Sequence, residues 1–219
     1  MAQTPVPFTP DETKIWEAEF MELTTSFARD QQGERIRLMF DRNKEFLRNA
    51  GGIAKSHFQG ASFGGVDAQG GFGWTLLRPE HLRHTTTDAD SVDIDWKRTP
   101  ATVGFNYFLG SATVFNQINR RALVVLLGFA NHQPVPKSVG AQWQIEGILY
   151  PPYDFYTAMR LLGSARVWSL PKPKVIPPLG QLKLQMRDVD TGLDEPQILG
   201  ITYAESGYLQ TQVPDLEAP

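Results

Sequence analysis

Apolar residues fall into two regimes along this chain. Up to about residue 50 they recur at helical spacing: Trp16, Phe20, Leu23 and Phe27 form one stripe, and Ile36, Met39, Phe40 and Leu47 form another. Thr9-Pro10-Asp11-Glu12 starts the first helix well, with Thr9 as cap, Pro10 in the first turn and Glu12 at the capping-box position. Gly33 interrupts or bends the segment, and Asn49-Ala50-Gly51-Gly52 reads as a stop, since glycine takes the left-handed conformation after a helix without a Cβ penalty.

After residue 70 the spacing tightens to alternation and short runs, the signature of strands. Phe72–Leu77, Val92–Trp96, Thr102–Phe108, Ala122–Phe129, Ala141–Ile145, Arg166–Leu170, the Leu182/Leu184/Met186 row, Ile198–Tyr203 and Tyr208–Val213 are the expected strands. Tyr156–Leu162 reads equally as strand or short helix. Ala122–Phe129 is apolar at every position and should be central, buried on both faces. Pro171, Pro173, Pro177 and Pro178 place 171–178 at an edge or a crossing between sheets. Nine or ten strands without alternating helices exclude a parallel α/β sheet. They predict a mainly β protein, an antiparallel, jelly-roll-like β-sandwich with an N-terminal helical arm. The expected division is an arm over 1–50, a glycine-rich connector over 51–74 and a sandwich over 75–219.

The connector raises one chemical question. Its AGGIAKSH segment resembles a phosphate-binding loop at Lys55-Ser56, but Ala54 and Asn49 stand where that loop needs glycine, and a helix precedes it. With eight glycines between Ala50 and Trp74, the stretch reads as a flexible hinge.

Charge and composition narrow the field further. The chain has 219 residues, a formal charge of −3 and no cysteine. Disulfides, thiolate metal sites and cysteine nucleophiles are excluded, and no global charge favours nucleic acid. The longest apolar run, Ala122–Ala130, is far shorter than the roughly 20 residues of a membrane span. No secretory signal is visible in MAQTPVPFTPDE, so the chain reads as soluble and made in the cytoplasm. Residues 11–30 carry six acids and two bases, while 34–48 carry five bases and three acids. Such helices either pack on their own domain or dock on a neighbouring subunit through complementary charge.

Candidate chemistry is sparse. His81 and His84, with Asp88, Asp90, Asp93 and Asp95 nearby, offer metal-ligating atoms, but the histidines have the spacing of one helical turn in residues that read as loop before strand, and the acids lack the ligand order of a calcium loop. No metal or cofactor is expected. Ser62, Ser111, Ser164 and Ser169 lie in no nucleophile frame, and His132 is read as a turn residue. An enzyme is not expected. Dense aromatics in irregular segments are the remaining signal: Phe58, Phe63, Phe72 and Trp74 in the connector, and Tyr150, Tyr153, Phe155 and Tyr156 around Pro151-Pro152. They either cover the ends of the sandwich, mark subunit contacts, or form a carbohydrate platform built on Trp74, Trp143, Tyr150 or Tyr153.

The arm over Thr9–Asn49, the connector, RRALVVLLGFANHQP and VIPPLGQLKLQMRD together resemble the layout of jelly-roll virion proteins, in which an arm precedes an eight-strand sandwich that packs into a shell. That resemblance implies a non-enzymatic, self-assembling virion subunit, whose partners are its own copies and other virion proteins. The acidic first helix departs from the basic arms coat proteins use to hold genomes, so genome binding through the arm is not implied. On this reading Trp16, Phe20, Leu23, Phe27, Phe58, Phe63, Phe72, Trp74, Tyr150, Tyr153 and Phe155 are the subunit-interface candidates, with the connector's aromatics buried only after assembly. A carbohydrate- or ligand-binding sandwich is the alternative.

Overall fold

The computed structural model describes residues 5–27, 30–64, 70–82, 96–131, 133, 135–155 and 166–211. Three helices open the chain: α1 (Pro10–Phe27), α2 (Gln31–Arg42) and α3 (Lys44–His57). The strands that follow are β1 (Phe72–Leu76), β2 (Gly104–Leu109), β3 (Asn116–Gln117), β4 (Ala122–Asn131), β5 (Ser138–Ile145), β6 (Ile148–Leu149), β7 (Tyr153–Asp154), β8 (Val167–Ile176), β9 (Gln181–Asp188) and β10 (Pro196–Glu205). A short α4 (Pro79–Leu82) follows β1, and α5 (Ser206–Thr211) follows β10.

All the ladders are antiparallel. One sheet runs β1-β10-β4-β8; the other runs β2-β9-β5-β6, with β3 added on β9 and β7 on β5. Setting aside the two-residue β3 and β7, the first, last, third and sixth strands share one sheet. The second, seventh, fourth and fifth share the other. That order is the jelly roll, and the protein is a mainly β sandwich with an N-terminal helical layer.

β4 explains the layering. Its ten residues are buried throughout. Val124, Leu126 and Phe129 face the second sheet, joining Phe108, Trp143, Leu184, Met186 and Ile198. Leu123, Val125 and Leu127 face the helices, joining Trp16, Phe20, Phe40, Leu47 and Tyr203. The continuous apolar run therefore serves two cores. β8, with Pro171 and Pro173, lies at the edge of its sheet, where a missing N–H costs no ladder bond.

The helical layer is fastened by polar contacts inside apolar surroundings. Trp16 Nε1 donates to Tyr203 Oη at 2.9 Å, and that hydroxyl donates to the Leu47 carbonyl at 2.9 Å, so one phenol joins α1, α3 and β10. Lys55 Nζ meets both Glu12 oxygens at 2.9 and 2.6 Å, with both side chains buried. Glu12 also accepts from the amides of Thr9 and Phe63 at 2.7 and 2.9 Å. The lysine that resembled a phosphate ligand is thus the counter-ion of the α1 capping box. Burial opposes charge on Glu12, but Lys55, Thr9 and Phe63 outweigh it and hold its carboxyl at about 2. The opposite charges of the arm meet within the chain as well, Glu17 lying 3.7 Å from Lys44 and 3.9 Å from Arg48.

Three expectations need correction. The stop at Asn49–Gly52 is absent: α3 continues to His57, and the expected boundary at residue 50 falls inside it. Gly51 and Gly52 serve close packing instead. A Cβ on Gly51 would lie 2.4 Å from the Phe8 ring, and one on Gly52 would lie 2.9 Å from the Val6 carbonyl oxygen. Residues 206–211 form a helix where a strand was expected. Glu205 pairs with Phe72 and Ala204 with Ala122, the first residues of β1 and β4, so beyond Glu205 neither neighbour offers a ladder. Finally, the bend placed at Gly33 lies earlier: Asp30 caps α2 through the Gly33 amide, and Gly33 sits inside that helix. The strand expected over Val92–Trp96, apart from Trp96, and the segment Tyr156–Leu162 lie outside the described residues.

Removing one member of the Glu12–Lys55 pair leaves a buried charge uncompensated. Lys55→Met should destabilise the fold by about 3–5 kcal/mol in urea unfolding, and adding Glu12→Gln should restore much of that. Because the folded carboxyl titrates below its ordinary 4.5, its contribution is complete above that pH and is lost as pH falls through about 2. A Lys55→Met protein as stable as wild type at pH 7 would refute this role.

Candidate functional site

The eleven interface candidates gather into the two cores. Trp16, Phe20, Phe58, Phe63, Phe72 and Trp74 are buried between the helices and the first sheet, with Leu23 and Phe27 half-buried against the same cluster. Their rings interlock: Trp16 stacks on Phe20 at 5.0 Å and on Trp74 at 5.7 Å, and Phe63 meets Phe72 edge-on at 5.4 Å. Phe155 is buried between the sheets, stacked on Trp168 at 4.6 Å, and Tyr150 and Tyr153 pack half-buried on that core. The connector's aromatics are therefore covered within one chain, not only after assembly. Trp74 and Trp143 are also buried, so neither belongs to an exposed carbohydrate platform. Trp74 Nε1 donates to Glu19 at 2.6 Å.

Other apolar side chains stay uncovered: Met21, Ile15, Leu38 and Phe46 on the helices, and further groups on one face and at two ends of the sandwich. The helices cover the outer face of the first sheet, while the outer face of the second carries no such layer among the described residues. Register places Phe105 beside Arg187, Tyr107 beside Gln185, Gln185 beside Gln142, and Lys183 beside Gln144 on that face. Phe105 and Tyr107 are 47% and 41% exposed.

At one end of the sandwich, the β5–β6 turn and the β8–β9 turn are tied together. The Glu146 amide donates to the Gln181 carbonyl, and the Gln181 amide donates to Glu146 Oε1. Ile148, Leu149 and Leu179 project there. At the opposite end, Val103, Val135, Val189 and Leu193 project from the segment before β2 and from the β4–β5 and β9–β10 loops. These seven aliphatic side chains are 48–66% exposed.

Beneath the second end lies a buried polar network. Asp194 accepts from Asn131 Nδ2 at 2.8 Å and from the amides of Lys137 and Ser138 at 3.1 and 2.9 Å. Ser138 Oγ lies between Asp194 and Asp188, and Asp188 also pairs with Arg98 and accepts from Asn106 at 2.9 Å. Burial pushes the Asp188 carboxyl up, against the pull of Asn106, Arg98 and Ser138. With every carboxylate oxygen served by a donor, the network braces the loops that carry the apolar residues. Alternation alone hides it, because Asp188 and Asp194 read as ordinary turn acids.

His81 is buried and separated from chemistry. Its Nδ1 accepts from the Arg78 amide at 3.2 Å and lies 2.9 Å from Thr202 Oγ1. A nitrogen that accepts from an amide carries no proton, so the ring is the Nε2–H tautomer. Burial, helped by the charge of Arg78, lowers its pKa to about 4. His84, Asp88, Asp90, Asp93, Asp95, His132, Tyr156 and Ser164 lie outside the described residues. Among the described residues, no three His, Asp or Glu side chains gather as a metal would need, and no helix is long and apolar enough to cross a membrane.

The class these features define is a jelly-roll sandwich with one face sealed by helices. No family model matches the sequence, and no curated protein does. A crystal structure of a Podospora anserina GH26-CBM35 β-(1,4)-mannanase is similar over 60% of this chain at 11% identity, with a TM-score of 0.24. The chain spans 27% of that structure's length, and a likeness of this size carries no argument.

The buried imidazole makes the fold acid-sensitive. An unfolded histidine protonates near 6.5 and the folded one near 4, so the stability His81 confers is complete above 6.5 and lost as pH falls through 4. The loss should reach about 3 kcal/mol across that window. His81→Asn, which keeps an acceptor at the Nδ1 position, should flatten it in urea titrations at pH 7, 5.5 and 4. An unchanged pH slope would rule the assignment out.

Proposed function

We propose that this protein is a self-assembling structural subunit, a coat component of a virion, whose copies meet through the loops at the two ends of the jelly roll. The observation that carries the reading is the set of exposed aliphatic side chains at those ends: Ile148 and Leu149 on the short β6 with Leu179 in the β8–β9 turn at one end, and Val103, Val135, Val189 and Leu193 at the other. Turn positions favour small polar residues, and clustered apolar side chains there mark contact surfaces. The two ends differ in composition and in underlying polar chemistry. A contact between unlike ends is heterologous and repeats until it closes into a ring or shell or extends as a filament.

The arm has a different role from the one its pattern suggests. Its Trp16/Phe20 stripe is buried on its own sheet and Glu17 pairs with Lys44 and Arg48, so these groups are not held for a neighbour.

Burying a fully exposed leucine or isoleucine is worth about 1.5–3 kcal/mol. The double variant Ile148→Lys/Leu149→Lys should therefore raise the concentration needed for assembly at least about tenfold while keeping wild-type circular dichroism. Light scattering and electron microscopy of the purified protein read this directly. A wild type that stays monomeric at high micromolar concentration would overturn the proposal.

A further inference from the structure

Among the described residues, the outer face of the second sheet is uncovered by helices and is accounted for by neither the cores nor the ends. On it, β2 presents Phe105 and Tyr107 two residues apart, so their rings stand about 7 Å apart along the strand. On β9, Arg187 flanks Phe105 and Gln185 flanks Tyr107, and on β5 Gln142 continues the amide row. Opposite Arg187 stands Gly140, which has no side chain to pair with the guanidinium or screen it.

Among the described residues, Tyr107 Oη, the Gln185 amide and the Arg187 guanidinium have no hydrogen-bond or ion-pair partner within the chain. The other cation on these strands is engaged: Lys183 Nζ donates to the Ala112 carbonyl at 2.8 Å and lies 4.0 Å from the Phe115 ring centre. Among the described residues, the carboxylate placed on this face by register is Asp154 on β7, which pairs with Gly140 across the ladder from Arg187. Asp154 has interactions of its own.

We propose that this face binds an acidic glycan, with Phe105 and Tyr107 stacking on sugar rings and Arg187 clamping a carboxylate. Aromatic rings with a polar rim accept the C–H face of a sugar, and amides such as Gln185 and Gln142 bond its hydroxyls. The planar guanidinium fork matches a carboxylate in two parallel hydrogen bonds. Among the described residues of these strands, Arg187 is the one unengaged cation, and it complements one carboxylate. A nucleic-acid strand presents a charge at every nucleotide, and its binding grows with the number of cations it meets. That count favours a sugar acid that presents one carboxylate to Arg187 over single-stranded nucleic acid.

The inference does not depend on self-assembly: none of its residues belongs to the aliphatic end sets, although Phe105 and Arg187 lie two residues from Val103 and Val189. The test is calorimetry of the full chain with a uronic-acid hexasaccharide, its carboxyl-reduced neutral counterpart and a single-stranded oligonucleotide. The acidic hexasaccharide should bind at least about tenfold more tightly than the neutral one. Arg187→Gln should abolish that preference, Arg187→Lys should retain part of it, and Tyr107→Ala should weaken both sugars about tenfold. Both side chains are at the surface, so circular dichroism and light scattering of the three variants should match wild type. Equal affinity for the two sugars, tighter binding of the oligonucleotide, no heat with any ligand at millimolar concentration, or an Arg187→Gln protein that binds like wild type would each overturn the proposal.

Discussion

The attachment of the helical layer to the first sheet is the constraint on which the remaining architecture depends. β4 and β10 are apolar on both faces, and a two-layer sandwich would leave one of those faces in water. Three helices cover it, but apolar contact alone does not fix their register. Two polar contacts do. The Tyr203 hydroxyl accepts from Trp16 and donates to Leu47, so α1 and α3 are held at one height on β10. Glu12 binds Lys55 and the Phe63 amide, so the start of α1 is tied to the end of α3 and to the chain entering β1. Neither contact tolerates a shifted helix, because each would leave a buried polar group without a partner.

Much of this architecture is legible in the residue pattern, and the rest has identifiable reasons for being hidden. The uninterrupted apolar run of β4 announces a strand with two buried faces, and the prolines of β8 announce an edge. The capping box at Thr9–Glu12 forms as its spacing implies, with Glu12 oxygens accepting from the Thr9 amide. What the pattern cannot show is which surface an amphipathic stripe meets. Trp16 and Phe20 look the same whether they cover their own sheet or a neighbour's. Glycine is equally ambiguous: Gly51-Gly52 suits a helix end, yet here it lets Phe8 and Val6 lie against α3. The change to helix at Ser206 depends on where β1 and β4 begin, a long-range fact that no local window contains.

The candidate surfaces were harder to read than the fold, for a related reason. Aromatic density drew attention to 58–74 and 150–155, but large rings in irregular segments are the residues most in need of cover, and here they receive it. The exposed positions are less conspicuous. Phe105 and Tyr107 sit in an alternating strand whose spacing gives no hint of which side is open. Ile148, Leu149 and Leu179 follow turns, where single aliphatic residues are common. Only the ladder between β2 and β9, and the tie between Glu146 and Gln181, bring them together.

Sealing one face has a consequence for the other. A jelly roll with both sheets exposed could associate through either, and copies would compete between alternative stackings. Here the helices remove the first sheet from that competition, and the second carries glutamines, an arginine and two rings, not a continuous apolar patch. On the proposed reading association falls to the ends, and at the one carrying Val135, Val189 and Leu193 the aliphatic side chains stand on loops braced by the Asp188–Ser138–Asp194 network. A braced loop loses little conformational freedom on contact, so more of its buried apolar area appears as affinity. The face that remains is flat, polar and aromatic, a composition suited to a reversible ligand.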